Sequence, residues 1–280
     1  MSVPPSPLSI DAIRGTLSTK WLGRRIELRR QVGSTNREAT ELLRSGVEDG
    51  TVVVADSQTE GRGRLSRHWF SPPGLNLYCS IVIRKRIAPE RFSEWLSWLP
   101  LSTALAAAEA IETVAATGIA VKWPNDLLLG DRKVGGILCE SGTTAGNGQY
   151  QVIGIGLNVN GTTEDFPQDL QGIATSLRQQ TGHPIDRNRL LAQLLMELEG
   201  CIEELESGTI EKIAFAYQCR CSTIGKTVKA MLTDGTEFTG AAESIDHDGS
   251  LKVIHRPLPS SGGPPRVLHL RAADIVHLRI

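Results

Sequence analysis

The chain has 280 residues, 40% of them hydrophobic, which is enough for a large core and more than one compact unit usually holds. Thirty Lys and Arg against 31 Asp and Glu leave a net charge of -1, which excludes a generally basic nucleic-acid coat and a polyacidic tail. Five cysteines (Cys79, Cys139, Cys201, Cys219 and Cys221) form neither a disulfide framework nor a C-x-x-C pair, so a reducing, cytoplasmic setting is expected.

Residues 1 to 8 read as a frayed, proline-rich lead without the basic and apolar regions of a secretion signal. Ser9 caps a short helix that runs to Leu17, and Arg25 to Val32 alternates like a strand. Thr35 and Glu38 stand at capping-box spacing, with Ala39, Leu42 and Leu43 giving the following helix an apolar side. Thr51 to Ala55 is a buried strand by its β-branched run. Gln58 to Gly74 is a long polar connection, and Leu75 to Arg84 returns to strand chemistry. Pro89 to Thr117 predicts a helix pair stopped by Gly118. Its most apolar part, Trp95 to Ile111, is broken by Pro100, carries Glu109 and is too short to span a bilayer, so no membrane is expected.

Val121 to Trp123 is a short strand. Leu127 to Leu129 and Val134 to Glu140 form a hairpin about Gly130-Asp131-Arg132, and Tyr150 to Asn160 is another strand. Leu190 to Leu205 and Ile210 to Tyr217 are helices. After Cys221 the texture changes to short strands at 227–232, 237–245, 251–254, 267–270 and 275–278. Asp234-Gly235 and Asp248-Gly249 mark turns between them, and Pro257 to Pro265 is too rich in Gly, Ser and Pro to be a strand. The pattern predicts a mixed domain over 1–222 with a small barrel over 223–280.

Four segments carry candidate chemistry. In Gly61-Arg62-Gly63-Arg64-Leu65-Ser66-Arg67-His68-Trp69, glycines let backbone amides approach a ligand, and three arginines with only Glu60 nearby call for an anion. The same nonamer also reads as a solvated basic loop. A dinucleotide fingerprint fails, because position 66 is Ser and a strand follows. In Lys122-Trp123-Pro124-Asn125-Asp126, proline stiffens the entry to two short polar side chains; an ordinary Asx turn is the alternative. Lys133, before Gly135-Gly136, is either an edge gatekeeper or a fixed charge for a phosphoryl centre. In Gly154 to Asn160 the glycines mark a close approach, and Asn158 offers a donor and an acceptor; a barrel-like bend with a polar strand end is the alternative.

GRGRLSRHW, KWPND, DRKVGGILCE and GIGLNVN, in that order and preceded by Ser34-Thr35-Asn36, closely resemble the biotin–protein ligase family. The resemblance implies an α+β fold: a class II aminoacyl-tRNA synthetase-like biotin/lipoate ligase catalytic domain with a mixed sheet and helices, followed by an SH3-like β-barrel. It implies that biotin is activated with ATP to biotinyl-5′-AMP and passed to one lysine of a biotin carboxyl carrier protein or domain. Ser34, Thr35 and Gln58 would bind the ureido end of biotin, with Asn36 beside them. Arg62 and Gly63 would line the biotin site through backbone, and Gly135 and Gly136 would leave room for the valeryl chain. Arg64 would hold the carboxylate and then the adenylate phosphate, and Lys133 would contact the reacting carboxylate and α-phosphate; these two are the catalytic candidates. Arg67, Trp69 and Asn158 would contact the nucleotide, with Asp126 also in the active centre. Mg²⁺ is expected with ATP, though the sequence shows no metal ligands. Some thirty residues precede Ser34, too few for the winged-helix domain of repressor members, so a monofunctional ligase without a nucleic-acid partner is expected. A homodimer is compatible with the resemblance. A lipoate ligase or octanoyltransferase is the nearest rival, with Cys139 as a conceivable acyl carrier.

Overall fold

The computed structural model describes residues 5–84, 91–143, 149–232, 235–255, 264–271 and 273–278. Residues 1–4 of the lead, Pro89, Asp234 and most of the Pro257 to Pro265 loop lie outside this set. The fold is α+β, built on two sheets.

The first sheet has seven strands in the order β1-β2-β3-β7-β6-β5-β4. Strands β1 (Ile26–Val32) and β2 (Val52–Gln58) are parallel and joined through helix α2 (Thr35–Arg44). The others, β3 (Leu77–Arg84), β4 (Ala120–Lys122), β5 (Asp126–Leu129), β6 (Arg132–Thr143) and β7 (Gln149–Leu157), pair antiparallel. One face carries α2, whose Ala39 and Leu43 pack on Val53, Val82 and Val152. The other packs on helices α3 (Phe92–Ala115), α5 (Arg187–Ser207) and α6 (Ile210–Arg220) through a larger core that includes Val54, Ile81, Ile155 and Leu157. Period-two alternation therefore places Ser80, Gly136, Leu138, Glu140, Gly154 and Gly156 on the α2 face.

Ser9 does cap α1 (Ile10–Arg14), accepting from the Ala12 N–H. The expected capping box at Thr35 is not formed. Ser34 occupies the cap position without a side-chain cap bond, and Thr35 and Glu38 are engaged elsewhere, with Gln58 and Arg29. Where a helix pair was expected, α3 is one helix with Pro100 inside it. An interior proline costs about 3 kcal/mol. Burial of Trp95, Trp98, Leu99 and the alanines from 104 to 110 between sheet and α5 outweighs that cost. The helix stops at Ala116, which is left-handed at φ 49°, rather than at Gly118. Helix α4 (Leu177–Thr181), capped by Ser176, carries no apolar periodicity long enough to announce it.

The second sheet contains β8 (Thr227–Met231), β9 (Glu237–Ile245), β10 (Leu251–His255), β11 (Arg266–Leu270) and β12 (Asp274–His277), all antiparallel, in the order β11-β10-β9-β8-β12. It docks through the Asp246–Gly249 turn. Trp98 Nε1 donates to the His247 carbonyl at 2.7 Å and Trp123 Nε1 to the Gly249 carbonyl at 3.1 Å. Two buried indoles thus tie the β9–β10 turn of the second sheet to α3 and to the segment after β4.

Candidate active site

A cavity of about 900 Å³ lies on the α2 face of the first sheet and is closed on one side by β8 and β12. That volume falls in the upper part of the usual range for small-molecule sites. All the expected site residues except Gly135 line it.

At one end the wall is a chain of polar groups. Gln58 Oε1, at the end of β2, accepts from the Thr35 N–H at 2.9 Å and lies 3.1 Å from the Thr35 hydroxyl. Its Nε2 donates to Ser71 Oγ at 2.9 Å. Ser80 on β3 lies 2.7 Å from the Thr35 hydroxyl and 2.6 Å from Asn36 Oδ1. Ser34, Thr35, Asn36 and Ser80 are all buried, so each of these bonds has lost its competition from water.

The opposite end is cationic. Lys133 is the second residue of β6, where its N–H donates to the Ile173 carbonyl at 2.8 Å and its carbonyl accepts from the Thr175 N–H at 2.9 Å. Clamped on both sides, its side chain enters the cavity, with Nζ 2.5 Å from Asp126 Oδ1 and 5.3 Å from the Trp69 ring centre. Asp126 thus aims the lysine, which is the individual role the sequence did not disclose. Arg64 donates to Asn125 Oδ1 at 3.1 Å and, across to the second sheet, to the Ala273 carbonyl at 3.3 Å. Arg67, Lys122, Lys226 and His277 complete this end. Burial together with Lys122 and Lys226 pushes the His277 imidazole down from 6.5 to about 4, so it is neutral near pH 7.

Between the ends runs a glycine track. A Cβ at Gly156 would stand 2.6 Å from Trp69 Cε2, and one at Gly136 would stand 3.2 Å from Trp69 Cζ3. The indole therefore lies against bare backbone of two strands. Gly135 faces the other way: a Cβ there would meet Leu157 and Leu127 in the core at 2.7 and 2.9 Å. Room in the cavity comes from Gly136 and Gly156, and Gly135 instead lets β6 approach the core. Arg62 points its side chain to Glu140, with Nη2 to Oε2 at 2.9 Å, while Gly63 forms the tight loop, its N–H bonded to the Arg67 carbonyl at 2.8 Å. Leu65 and Ser66, between the arginines, are both left-handed, at φ 54° and 58°. Such strain persists at functional loops when neighbouring contacts hold it. Asn158 is buried beside Val134, whose carbonyl takes its N–H at 2.8 Å.

Sequence reasoning missed Ser71, Ser80, Glu140, Lys226 and His277. Glu140 closes the DRKVGGILCE motif without being singled out in it, and the other four stand outside the motifs and are brought in by the fold. Cys139 lies on the core side of β6 and is absent from the cavity wall. Its thiol is pushed up to about 12 by desolvation, which disfavours the thiolate that an acyl-carrier role requires.

A concave site that hydrogen-bonds a neutral polar group at one end and gathers fixed cations at the other defines a protein that brings a small molecule to an anion. Residues 28–158 match the model of the biotin/lipoate A/B protein ligase family. The chain is 34% identical over 278 residues to the biotin--[acetyl-CoA-carboxylase] ligase of Mycobacterium tuberculosis, covering 98% of this chain and 97% of that protein. It is 35% identical over 247 residues to the bifunctional ligase/repressor BirA of Bacillus spizizenii, covering 88% and 74%. The biotin protein ligase from Aquifex aeolicus, solved in complex with biotin and ATP, is similar with a TM-score of 0.75 at 26% identity, covering 92% of this chain and 100% of that one. The Leishmania major biotin protein ligase in complex with biotinyl-5-AMP gives a TM-score of 0.56 at 25% identity, covering 89% and 99%. The chain belongs to the biotin/lipoate A/B protein ligase family.

Proposed function

We infer that the chain is an ATP-dependent biotin ligase that forms biotinyl-5′-AMP and transfers biotin to a lysine of a biotin carboxyl carrier protein or domain. The observation that carries this is the two-ended cavity, with a neutral hydrogen-bonding wall at Thr35 and Gln58 and the cations Lys133 and Arg64 beyond the glycine track. Relatives named biotin--[acetyl-CoA-carboxylase] ligase support the acceptor as well as the substrates.

A biotin carboxylate oxygen attacks the α-phosphorus of ATP, the bond to the bridging oxygen of the β-phosphate breaks, and pyrophosphate leaves. Two anions must meet, so donors are needed that oppose their repulsion and hold the charge growing on the phosphoryl oxygens. Lys133, already clamped and aimed by Asp126, and Arg64, spanning the two sheets, stand where they can do so without reorganising. The carrier amine then attacks the acyl carbon, an amide forms, and AMP leaves. Acceptor access is through the cavity mouth, where Leu65, Ile173, Val276 and Leu278 are exposed.

Arg67, Trp69 and Asn158 take the nucleotide in this reading, and Trp69 offers an aromatic face for the base. Mg²⁺ arrives with the nucleotide phosphates: among the described residues no group of three or more His, Cys, Asp or Glu is placed to hold a metal. A division into a catalytic unit, 1–222, and a barrel unit, 223–280, is supported by the partition of strands between the two sheets. A cytoplasmic location and action without nucleic acid are part of the proposal, supported by the cysteine usage and the net charge of -1. Among the described residues no helix is long and apolar enough to cross a membrane.

Incubation with ATP, biotin and a carrier domain, followed by mass measurement of the carrier, tests the proposal. One biotinyl addition is expected. An unmodified carrier together with absent biotin-dependent ATP–pyrophosphate exchange refutes it, and exchange driven by lipoate instead would move the assignment to the rival activity.

A further inference from the structure

One carboxylate outside the reacting groups touches both the recognition wall and the arginine loop. Glu140 Oε2 accepts from Asn36 Nδ2 at 2.7 Å and from Arg62 Nη2 at 2.9 Å. The second hydrogen of the Asn36 amide goes to the Leu138 carbonyl at 3.2 Å. Strand β6 therefore engages both amide hydrogens, and Asn36 Oδ1 is fixed towards Ser80 Oγ, 2.6 Å away.

That orientation has consequences along the wall. Ser80 and Thr35 have one hydroxyl hydrogen each, yet they make three close contacts: Ser80 to Asn36 Oδ1, Ser80 to Thr35, and Thr35 to Gln58 Oε1. The two amide oxygens at the ends cannot donate. Both hydroxyl hydrogens are consumed inside the wall, so the Thr35 oxygen meets a ligand with lone pairs only. At that point the wall matches a ligand N–H, such as those of a cyclic urea, and rejects a ligand acceptor. Were Asn36 free to turn over, its Nδ2 would feed Ser80 a hydrogen, the Ser80 hydroxyl hydrogen would pass to Thr35, and one of the lone pairs that Thr35 offers a ligand N–H would be occupied.

We propose that Glu140 is a positioning residue that fixes the hydrogen-bond polarity of the biotin-recognition wall and, through the same oxygen, holds the Arg62–Arg64 loop against it. The proposal rests on the biotin reading above. Biotin capture and retention of the adenylate then depend on one side chain that meets neither.

The test compares wild type with Glu140→Ala, Glu140→Gln and Arg62→Ala in two measurements. These are the biotin Kd by titration without ATP, and the rate at which biotinyl-AMP formed on the protein is lost without carrier. Glu140→Ala removes both contacts and weakens biotin about tenfold while speeding loss of the intermediate about tenfold, the effect of losing a hydrogen bond to a charged group. Glu140→Gln retains an acceptor for Asn36 but no charge for Arg62. Its biotin Kd stays within about threefold of wild type, a loss under ~1 kcal/mol, while its intermediate escapes as fast as from Glu140→Ala. Arg62→Ala, read on the second measurement alone, loses the intermediate as fast as Glu140→Gln does. Wild-type values of both quantities in Glu140→Ala overturn the proposal, and so does a biotin Kd in Glu140→Gln as weak as in Glu140→Ala. A melting curve taken for each variant separates loss of fold from loss of polarity, and the near-isosteric Gln variant keeps the comparison decisive if Glu140→Ala unfolds. Wild-type protein that binds no biotin refutes the function itself, a separate outcome.

Discussion

Gly154 and Gly156 face the same cavity two residues apart on β7, yet each makes room for a different neighbour. A Cβ added at Gly154 would overlap the Asn36 amide oxygen and stand 2.9 Å from its Cγ. Carbon atoms pack best at about 3.5–4.0 Å, so the intrusion exceeds half an ångström and Asn36 must yield. Its amide makes three hydrogen bonds, to Ser80, Glu140 and the Leu138 carbonyl, and the residue is 4% exposed. Disturbing two of those bonds at about 1 kcal/mol each, with an overpacking cost of about 1–3 kcal/mol, gives about 3–5 kcal/mol for Gly154→Ala, shared between stability and biotin affinity. At Gly156 the added carbon would stand 2.6 Å from Trp69 Nε1, on an indole that is half-buried. Gly156→Ala should therefore cost about 1 kcal/mol in stability and act on the nucleotide. Biotin Kd from calorimetry and the ATP KM from pyrophosphate exchange separate the two variants. Gly154→Ala should weaken biotin about tenfold or more and leave the ATP KM near wild type, with Gly156→Ala doing the reverse. Gly118→Ala, with no atom within 4 Å of the added carbon, is the control. If both β7 variants shift the same constant, or neither shifts any, the account of the glycine track is wrong.

Arg64→Gly removes the link between Asn125 and the Ala273 carbonyl and should release biotinyl-AMP, read as biotin on bystander lysines; retention equal to wild type would contradict the assignment. Cys139→Ala should keep full ligase activity, because the thiol is protonated and faces the core; an inactive, folded variant would revive the acyl-thioester rival. His277 is held neutral in the folded protein, from 6.5 down to about 4, whereas the unfolded chain takes up the proton near 6.5. Stability from this group is present above pH 6.5 and is lost as pH falls towards 4, by about 1 kcal/mol after allowing for solvent screening at this half-buried ring. Chemical denaturation at pH 7 and pH 4.5 should show that loss in wild type and a smaller one in His277→Gln. Equal losses would refute it.

The motifs were legible because their chemistry is local. Arginines beside glycines, a lysine before two glycines and a stiffened Asn-Asp pair announce a ligand wherever the chain goes, and the cavity gathers them. Strand β2 followed from its β-branched run and helix α5 from its apolar periodicity. The misreadings share one cause, which is that tertiary contact decided them. Pro100 suggested a break, but burial of Trp98 and the alanine run holds α3 together. Thr35 looked like a helix cap, but Gln58, 23 residues away, takes its hydroxyl and N–H. Gly135 and Gly136 are neighbours in sequence and opposites in the sheet. Ser80 has no sequence signal, and Glu140, although it ends the DRKVGGILCE motif, has none that names its partner, since Asn36 lies 44 and 104 residues distant.

The central claim is that fixed cations, Lys133 foremost, allow a carboxylate and a triphosphate to join. Single-turnover formation of biotinyl-AMP by Lys133→Ala tests it most directly, with biotin Kd measured on the same sample. The adenylation rate should fall by about 10²–10³ while the biotin Kd stays within a few-fold of wild type, the signature of a preorganised donor to the transition state. An adenylation rate equal to wild type, in a variant that folds and binds biotin, would contradict the claim.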